Sequence, residues 1–373
     1  MRQEIISEKQ GIAIIGVFLL GSSVVTGTAR AAGRDSWLAT LVAMAAALPF
    51  LLVYARLCAL YPGCSLFEML EKALGKVPGR LFCLFCVLSS GLLCAAHIRI
   101  FMEFVSITAL HRTPQILMGL TLALLSVWIL RCGVEILGRC ASVFAVVVTL
   151  SLLLTVVLLG DVMNPKNLLP VWTVPEDVLL RDSLRQLSYP FTQIFFCLAF
   201  AGNLKKTANP RRVFLLGFAW GGALLLMGAL RDLTALGGPT YSAMLYPSYI
   251  TAAIINIDGF FQRIEALMAA NFMLTVLVKL CVLLLAASAG FAKLIGRQAH
   301  RNLLLPLALL ALMLGLLLFR SAPELRHVMD AVMTALLPVQ TALPLIIWLA
   351  AELRTKGGRI KPVLSETEEL AQP

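Results

Sequence analysis

The chain has 373 residues; 60% are apolar, only 14% are charged, and the mean hydropathy is +0.89. Soluble domains are nearer roughly 45–50% apolar and about 25% charged, so a water-soluble particle, a disordered chain and a disulfide scaffold are excluded, and a polytopic helical membrane protein remains. The net charge of +11 comes mostly from Lys and Arg in short breaks between apolar runs, a membrane-flanking pattern that excludes nucleic-acid binding, because no basic stripe carries interleaved aromatics.

A spanning helix needs about 20 apolar residues. Ten runs qualify, at roughly 11–29, 36–60, 81–108, 114–130, 140–160, 183–204, 213–230, 259–292, 302–319 and 328–351. The first ends near Thr28-Ala29-Arg30-Ala31-Ala32, small residues that also fit a signal peptide. Its length and the nine runs that follow favour a retained span. Within it, Gly21-Ser22-Ser23-Val24-Val25-Thr26-Gly27 interrupts an apolar helix with two glycines and three hydroxyls.

Span 3 carries His97, Arg99 and Glu103. Arg99 and Glu103 are four apart and share a helical face. They read either as a structural ion pair or as groups that meet the two charges of a zwitterion. Cys83 and Cys86 form a C-x-x-C in the same span, but no acidic or His residue lies close by, so small buried hydrophobes are the simpler reading.

The loop 161–182 holds Pro165, Pro170 and Pro175, and 231–258 holds Gly237-Gly238-Pro239 and Pro247. Between them, span 6 carries Ser188-Tyr189-Pro190-Phe191-Thr192-Gln193, where proline breaks or kinks the helix. The two interruptions open the two halves of the chain. Matching interruptions of this kind point to a central ligand site in secondary transporters, although glycine and proline are also simply common in membrane helices. Freed N–H groups near Gly21, Ser22 and Ser23 are suited to a carboxylate. In span 8, Glu265, Met268, Phe272, Thr275 and Lys279 lie at steps of three and four, on one stripe. The polar residues 356–373 read as a cytoplasmic, disordered tail.

With alternating spans, the segments on the N-terminal side hold eighteen of the 31 Lys and Arg and the opposite segments eight. This bias predicts both termini in the cytoplasm.

Several short stretches, in order and spacing, resemble the spore germination permease family, the B subunits of GerA-type germinant receptors. They include Ile6-Ser7-Glu8-Lys9-Gln10, Gly33-Arg34-Asp35-Ser36-Trp37-Leu38, Tyr61-Pro62 with Ser65-Leu66-Phe67-Glu68, Gly133-Val134-Glu135-Ile136-Leu137-Gly138-Arg139, Asn167-Leu168-Leu169-Pro170-Val171 and Arg263-Ile264-Glu265-Ala266-Leu267. That family is similar to the amino-acid–polyamine–organocation transporters. The family often has an acidic residue after the span-6 proline. Here Gln193 stands in that stretch, which argues against a proton-relay role there.

The resemblance implies an all-α membrane protein of LeuT-like fold. Its ten transmembrane helices form two inverted five-helix repeats, about 11–160 and 183–351, with helices 1 and 6 broken. It implies a subunit that senses a small germinant, first of all an amino acid, in the spore inner membrane beside receptor A and C subunits. The ligand-binding set is then Gly21, Ser22, Ser23, Val24, His97, Arg99, Glu103, Tyr189, Pro190, Phe191, Thr192, Gln193 and Thr275. Lys279 is placed where related transporters hold a coupling sodium ion; snorkelling or a structural pair is the alternative. An amino-acid permease and a structural subunit with a vestigial site are the rival readings. The sequence carries no G-x-S-x-G, H-E-x-x-H or phosphate-cradling loop, so no enzyme activity, cofactor or metal is expected.

Overall fold

The computed structural model describes residues 4–255, 263–296, 300–319 and 322–356. The tail expected at 356–373 therefore lies, apart from Lys356, outside the described residues.

The chain enters as helix α1, Glu8–Leu20. Ser7 and Gln10 start it with a reciprocal capping box, in which each side chain accepts the other's backbone N–H at 3.3 and 2.9 Å. The helix stops at Gly21 and resumes as one short turn, α2, Ser23–Thr26. A 3₁₀ segment, Arg30–Asp35, leads into α3, Ser36–Leu60. A second capping box, Ser65 with Glu68, starts α4, Leu66–Leu74, which buries Leu66, Phe67, Met69, Leu70 and Ala73. Then come α5 (Lys76–Thr108), α6 (Gln115–Cys132) and α7 (Val134–Leu158).

The second half opens with α8, Glu176–Gln186, earlier than the expected start of span 6 at 183. Tyr189, with φ −145° and ψ 111°, breaks the helix before Pro190. A 3₁₀ helix, Thr192–Asn203, continues it. Next come α9 (Pro210–Leu236), the short α10 (Gly238–Ala243) and α11 (Pro247–Ala253), then α12 (Glu265–Leu294), α13 (Leu304–Leu318) and α14 (Ala322–Lys356). Part of the loop expected at 231–258 is thus helical. The first residues expected in span 8, 259–262, lie outside the described residues. Among the described residues, eight helices are long and apolar enough to cross a membrane, besides the two interrupted segments.

Helix α12 is the central pillar, with 83% of its most apolar stretch buried. Helix α1 packs on α9, α7 and α12. Glycines set the closeness of the α1–α9 crossing. A methyl on Gly221 would meet the Gly16 carbonyl oxygen at 2.8 Å, and one on Gly217 would meet Ile15 Cβ at 2.8 Å. Small residues four apart are a common way for membrane helices to approach, because packing and not the hydrophobic effect drives their association in lipid.

The two ends of the molecule are fastened differently. At the end holding the N-terminus, Ile6 N–H donates to Asn203 O at 2.8 Å, and Lys205 N–H donates to Ile6 O at 2.9 Å. Glu4 accepts from Val134 N–H at 2.7 Å and pairs with Arg301. At the other end, Asp35 accepts the N–H groups of Trp172, Thr173 and Val174 at 2.7–3.1 Å. The Tyr241 hydroxyl donates to Thr28 O at 2.8 Å and accepts from Thr28 N–H at 2.9 Å.

Candidate functional site

The two interruptions meet at the middle of the bundle. Ser22 follows the stop of α1, and its hydroxyl is in short contact with the hydroxyl of Tyr189, the residue that breaks the helix after α8. The Tyr189 hydroxyl lies 3.1 Å from His97 Nε2 of α5, and His97 Nδ1 lies 2.7 Å from Leu93 O. The His97 and Tyr189 rings stack with centroids 5.8 Å apart.

These groups form one end of a cavity of about 380 Å³, a size that suits a small ligand. Its walls are Ser22, Ser23, Thr26 and Gly27 of the first interruption, His97 and Ile100 of α5, Tyr189 and Pro190 of the second, and Met329 and Met333 of α14. Toward the end away from the N-terminus it reaches Arg30, Asp182, Arg185, Tyr246 and Asp330. Asp182 accepts from Ala32 N–H at 2.7 Å and pairs with Arg185 at 3.4 Å. Arg30 donates to the carbonyls of Met244 and Leu245, which fixes the α10–α11 connection over that end. Burial pushes the Tyr241 hydroxyl up to about 12 and raises that of Tyr246 further.

Of the residues picked from sequence, Ser22, Ser23, His97, Tyr189 and Pro190 line this cavity. The others lie elsewhere. Val24 borders a much smaller void on the opposite side of α2. Arg99 and Glu103 face each other at 3.5 Å, and Arg99 also donates to Gln115 of α6 at 3.0 Å, away from the cavity lining. Phe191 packs edge-on to Phe218 of α9, with ring centroids 5.3 Å apart. Thr192 donates to Gln340 Oε1 at 2.9 Å, and the Gln193 amide reaches Met333 Sδ at 3.9 Å, so both point toward α14.

Gly21, Thr275 and Lys279 form a third group behind the first interruption. The Thr275 hydroxyl donates to Gly21 O at 2.8 Å. Lys279 is fully buried, with Nζ 5.1 Å from the centre of the Phe18 ring and 4.6 Å from that of Tyr189. Among the described residues its Nζ has no hydrogen-bond partner. Two π faces are the kind of surroundings that hold an ammonium out of water.

Sequence reasoning did not pick Thr26, Arg30, Asp182, Met329 or Met333. Asp182 and Arg185, three apart on α8, were the available signal. A second polar cluster was also missed. Arg231 and Asp232 of α9 are 1% exposed and pair at 2.7 Å; Arg231 also donates to Thr155 at 2.6 Å, and the Ser248 hydroxyl contacts Asp232. Among the described residues no group of three or more His, Cys, Asp or Glu could hold a metal ion.

A family model described as "Spore germination protein" matches residues 5–323. Spore germination protein KB of Bacillus subtilis (strain 168) is 25% identical over 361 residues, covering 95% of this chain and 97% of the relative. Spore germination protein A2 of the same organism is 22% identical over 303 residues, covering 79% and 82%. Among solved structures, MhsT in complex with L-phenylalanine superposes with TM-score 0.68 at 13% identity, over 93% of this chain and 89% of that one. Mhp1, a nucleobase-cation-symport-1 family transporter with bromovinylhydantoin bound, gives 0.72 at 11% identity, over 96% and 80%. The fold is therefore that of the LeuT-like transporters.

Proposed function

Because the chain belongs to the spore germination protein family, we propose that it is the ligand-sensing membrane subunit of a germinant receptor, with an amino acid bound in the cavity between the interrupted helices. The observation that carries this reading is the contact of Ser22 with Tyr189, which makes both interruptions one wall of a single cavity. A ligand seated there touches α2, α5, α8 and α14 at once. It favours whichever arrangement of those helices fits it best, and only that preference can become a signal.

The polar groups around Ser22, Ser23, His97 and Tyr189 receive the charged head of the ligand. Ile100, Met329 and Met333 receive its side chain. Gly21, Val24, Arg99, Glu103, Phe191, Thr192, Gln193 and Thr275 act from behind, by holding the interrupted segments in place. Lys279 stands in for a coupling cation at the first interruption; its ammonium beside Phe18, Tyr189 and Gly21 supports this.

The helices divide into two inverted repeats, about 11–160 and 183–351. The protein sits in the spore inner membrane with both termini, and the tail 356–373, in the cytoplasm. Receptor A and C subunits are its partners and receive the shift.

A working amino-acid permease is the second reading, favoured by the transporter fold itself. Two measurements on the purified protein separate the possibilities. A panel of amino acids and nucleosides is tested for thermal stabilisation; about a hundredfold excess over Kd adds roughly 2.7 kcal/mol. Uptake of any stabilising compound is then measured in proteoliposomes. Stabilisation without uptake is the result expected of a sensor. Uptake indicates a permease, and a stabilised Ser22→Leu variant removes the cavity as the ligand site.

A further inference from the structure

The hydrogen bonds at the polar end of the cavity have a direction, and it follows from one carbonyl. Leu93 O can only accept, so His97 Nδ1, 2.7 Å away, carries the hydrogen. In a neutral imidazole the other nitrogen then accepts. Tyr189 must therefore donate its only hydrogen to His97 Nε2 across 3.1 Å. The Ser22 hydroxyl, bonded to the same phenol oxygen, must in turn donate to it.

The neutral ring is the form that the surroundings hold. His97 is fully buried, and among the described residues no carboxylate bonds to it. Lys279 Nζ, 4.6 Å from the centre of the Tyr189 ring, offers no negative charge to balance an imidazolium. Buried charge without a counter-charge is costly.

Every hydrogen on these three side chains is thus spent inside the chain Ser22–Tyr189–His97–Leu93. Ser22 and Tyr189 have only lone pairs left to offer. We propose that the Ser22 and Tyr189 hydroxyls select the part of the ligand that meets them by a hydrogen-bond donor: they accept from an ammonium or a hydroxyl and turn away a bare carboxylate. An amino acid is then seated with its ammonium, and not its carboxylate, on these two side chains. The inference rests on the reading of the cavity as the ligand site. It adds to that reading the polarity of the head group and the two residues that set it. A site built to accept discriminates strongly against an analogue lacking the donor, because its own lone pairs would be left unpaired.

Two measurements test it. The first needs no ligand. In protein labelled with ¹⁵N-histidine, with the His97 signals assigned by their loss in His97→Gln, Nδ1 is expected to be protonated and Nε2 bare. The Nε2 resonance should move in Tyr189→Phe, which keeps the ring and removes the donor. The second compares L-valine, its deaminated analogue 3-methylbutanoate, its decarboxylated analogue 2-methylpropylamine, and D-glucose, by thermal stabilisation of the wild type and of Ser22→Ala. The amine and hydroxyl arms tell which donor the site takes. At least one donor-bearing probe is expected to bind tenfold or more tightly than 3-methylbutanoate, and Ser22→Ala should shrink that ratio. A protonated Nε2, or 3-methylbutanoate binding as tightly as the donor-bearing probes, overturns the proposal. Failure of every probe to bind while Nε2 is bare overturns instead the ligand-site reading beneath it.

Discussion

Gly21→Ala asks whether the interruption of helix 1 is shaped around Lys279. Gly21 has φ 39° and ψ −129°, a combination that costs a side-chain-bearing residue about 1–3 kcal/mol. The added methyl would also lie 2.4 Å from Lys279 Cδ and 3.1 Å from Phe18 O. Carbon atoms pack at about 3.5–4.0 Å, so the overlap with Lys279 exceeds about 1 Å, and overpacking of this kind costs about 1–3 kcal/mol more. The expected loss is therefore about 2–6 kcal/mol, in two separable parts. Denaturant unfolding in micelles of the wild type, Gly21→Ala, Lys279→Ala and the double variant measures them as a cycle. With Lys279 truncated, the overlap with its side chain should vanish while the backbone part and the Phe18 O contact remain, a coupling of about 1–3 kcal/mol. If Gly21→Ala costs the same in both backgrounds, within about 0.5 kcal/mol, Lys279 does not shape the interruption and the argument fails.

Other substitutions test other parts of the structure. Asp232→Ala leaves the Arg231 guanidinium buried without its carboxylate and should cost about 3–5 kcal/mol; a loss below about 1 kcal/mol, the range of an exposed pair, would contradict the burial of that pair. Gly221→Leu drives a side chain into the backbone of Gly16 and should prevent α1 and α9 from closing, seen as loss of folded protein in size-exclusion chromatography. Wild-type elution would refute the close crossing. Ser22→Leu should abolish ligand-dependent stabilisation, while Gln193→Leu should keep it, because Gln193 lies behind Met333, outside the cavity lining; the opposite pattern would move the site behind the second interruption.

What the sequence revealed and what it hid follow from the range of each signal. The interruptions at Gly21–Gly27 and Ser188–Gln193 were legible because glycine and proline act on their own helix. The span-8 stripe was legible because it too is local: Met268, Phe272, Thr275 and Lys279 lie buried on α12, with Glu265 half-buried at its start. The pairing of Ser22 with Tyr189 crosses 167 residues, and no local periodicity records it. Direction was lost too. Arg99 and Glu103 were correctly placed on one face, but spacing does not say whether that face meets a cavity or α6. Helices α4, α10 and α11 escaped because a search for long apolar runs passes over short segments.

The joining of Ile6 to Asn203 and Lys205 is made by main-chain atoms alone. Side-chain drift at these positions leaves it intact, so neighbouring sequences can diverge there without losing the fastening. Only a residue without an N–H breaks it: Ile6→Pro removes one of the two bonds, whereas Ile6→Val removes neither. The amides of Ile6 and Lys205 are also natural clocks. Their exchange with deuterated solvent runs only when the segment leading into α1 lets go of the end of the 3₁₀ helix Thr192–Asn203, so it counts those openings one by one, with or without a ligand.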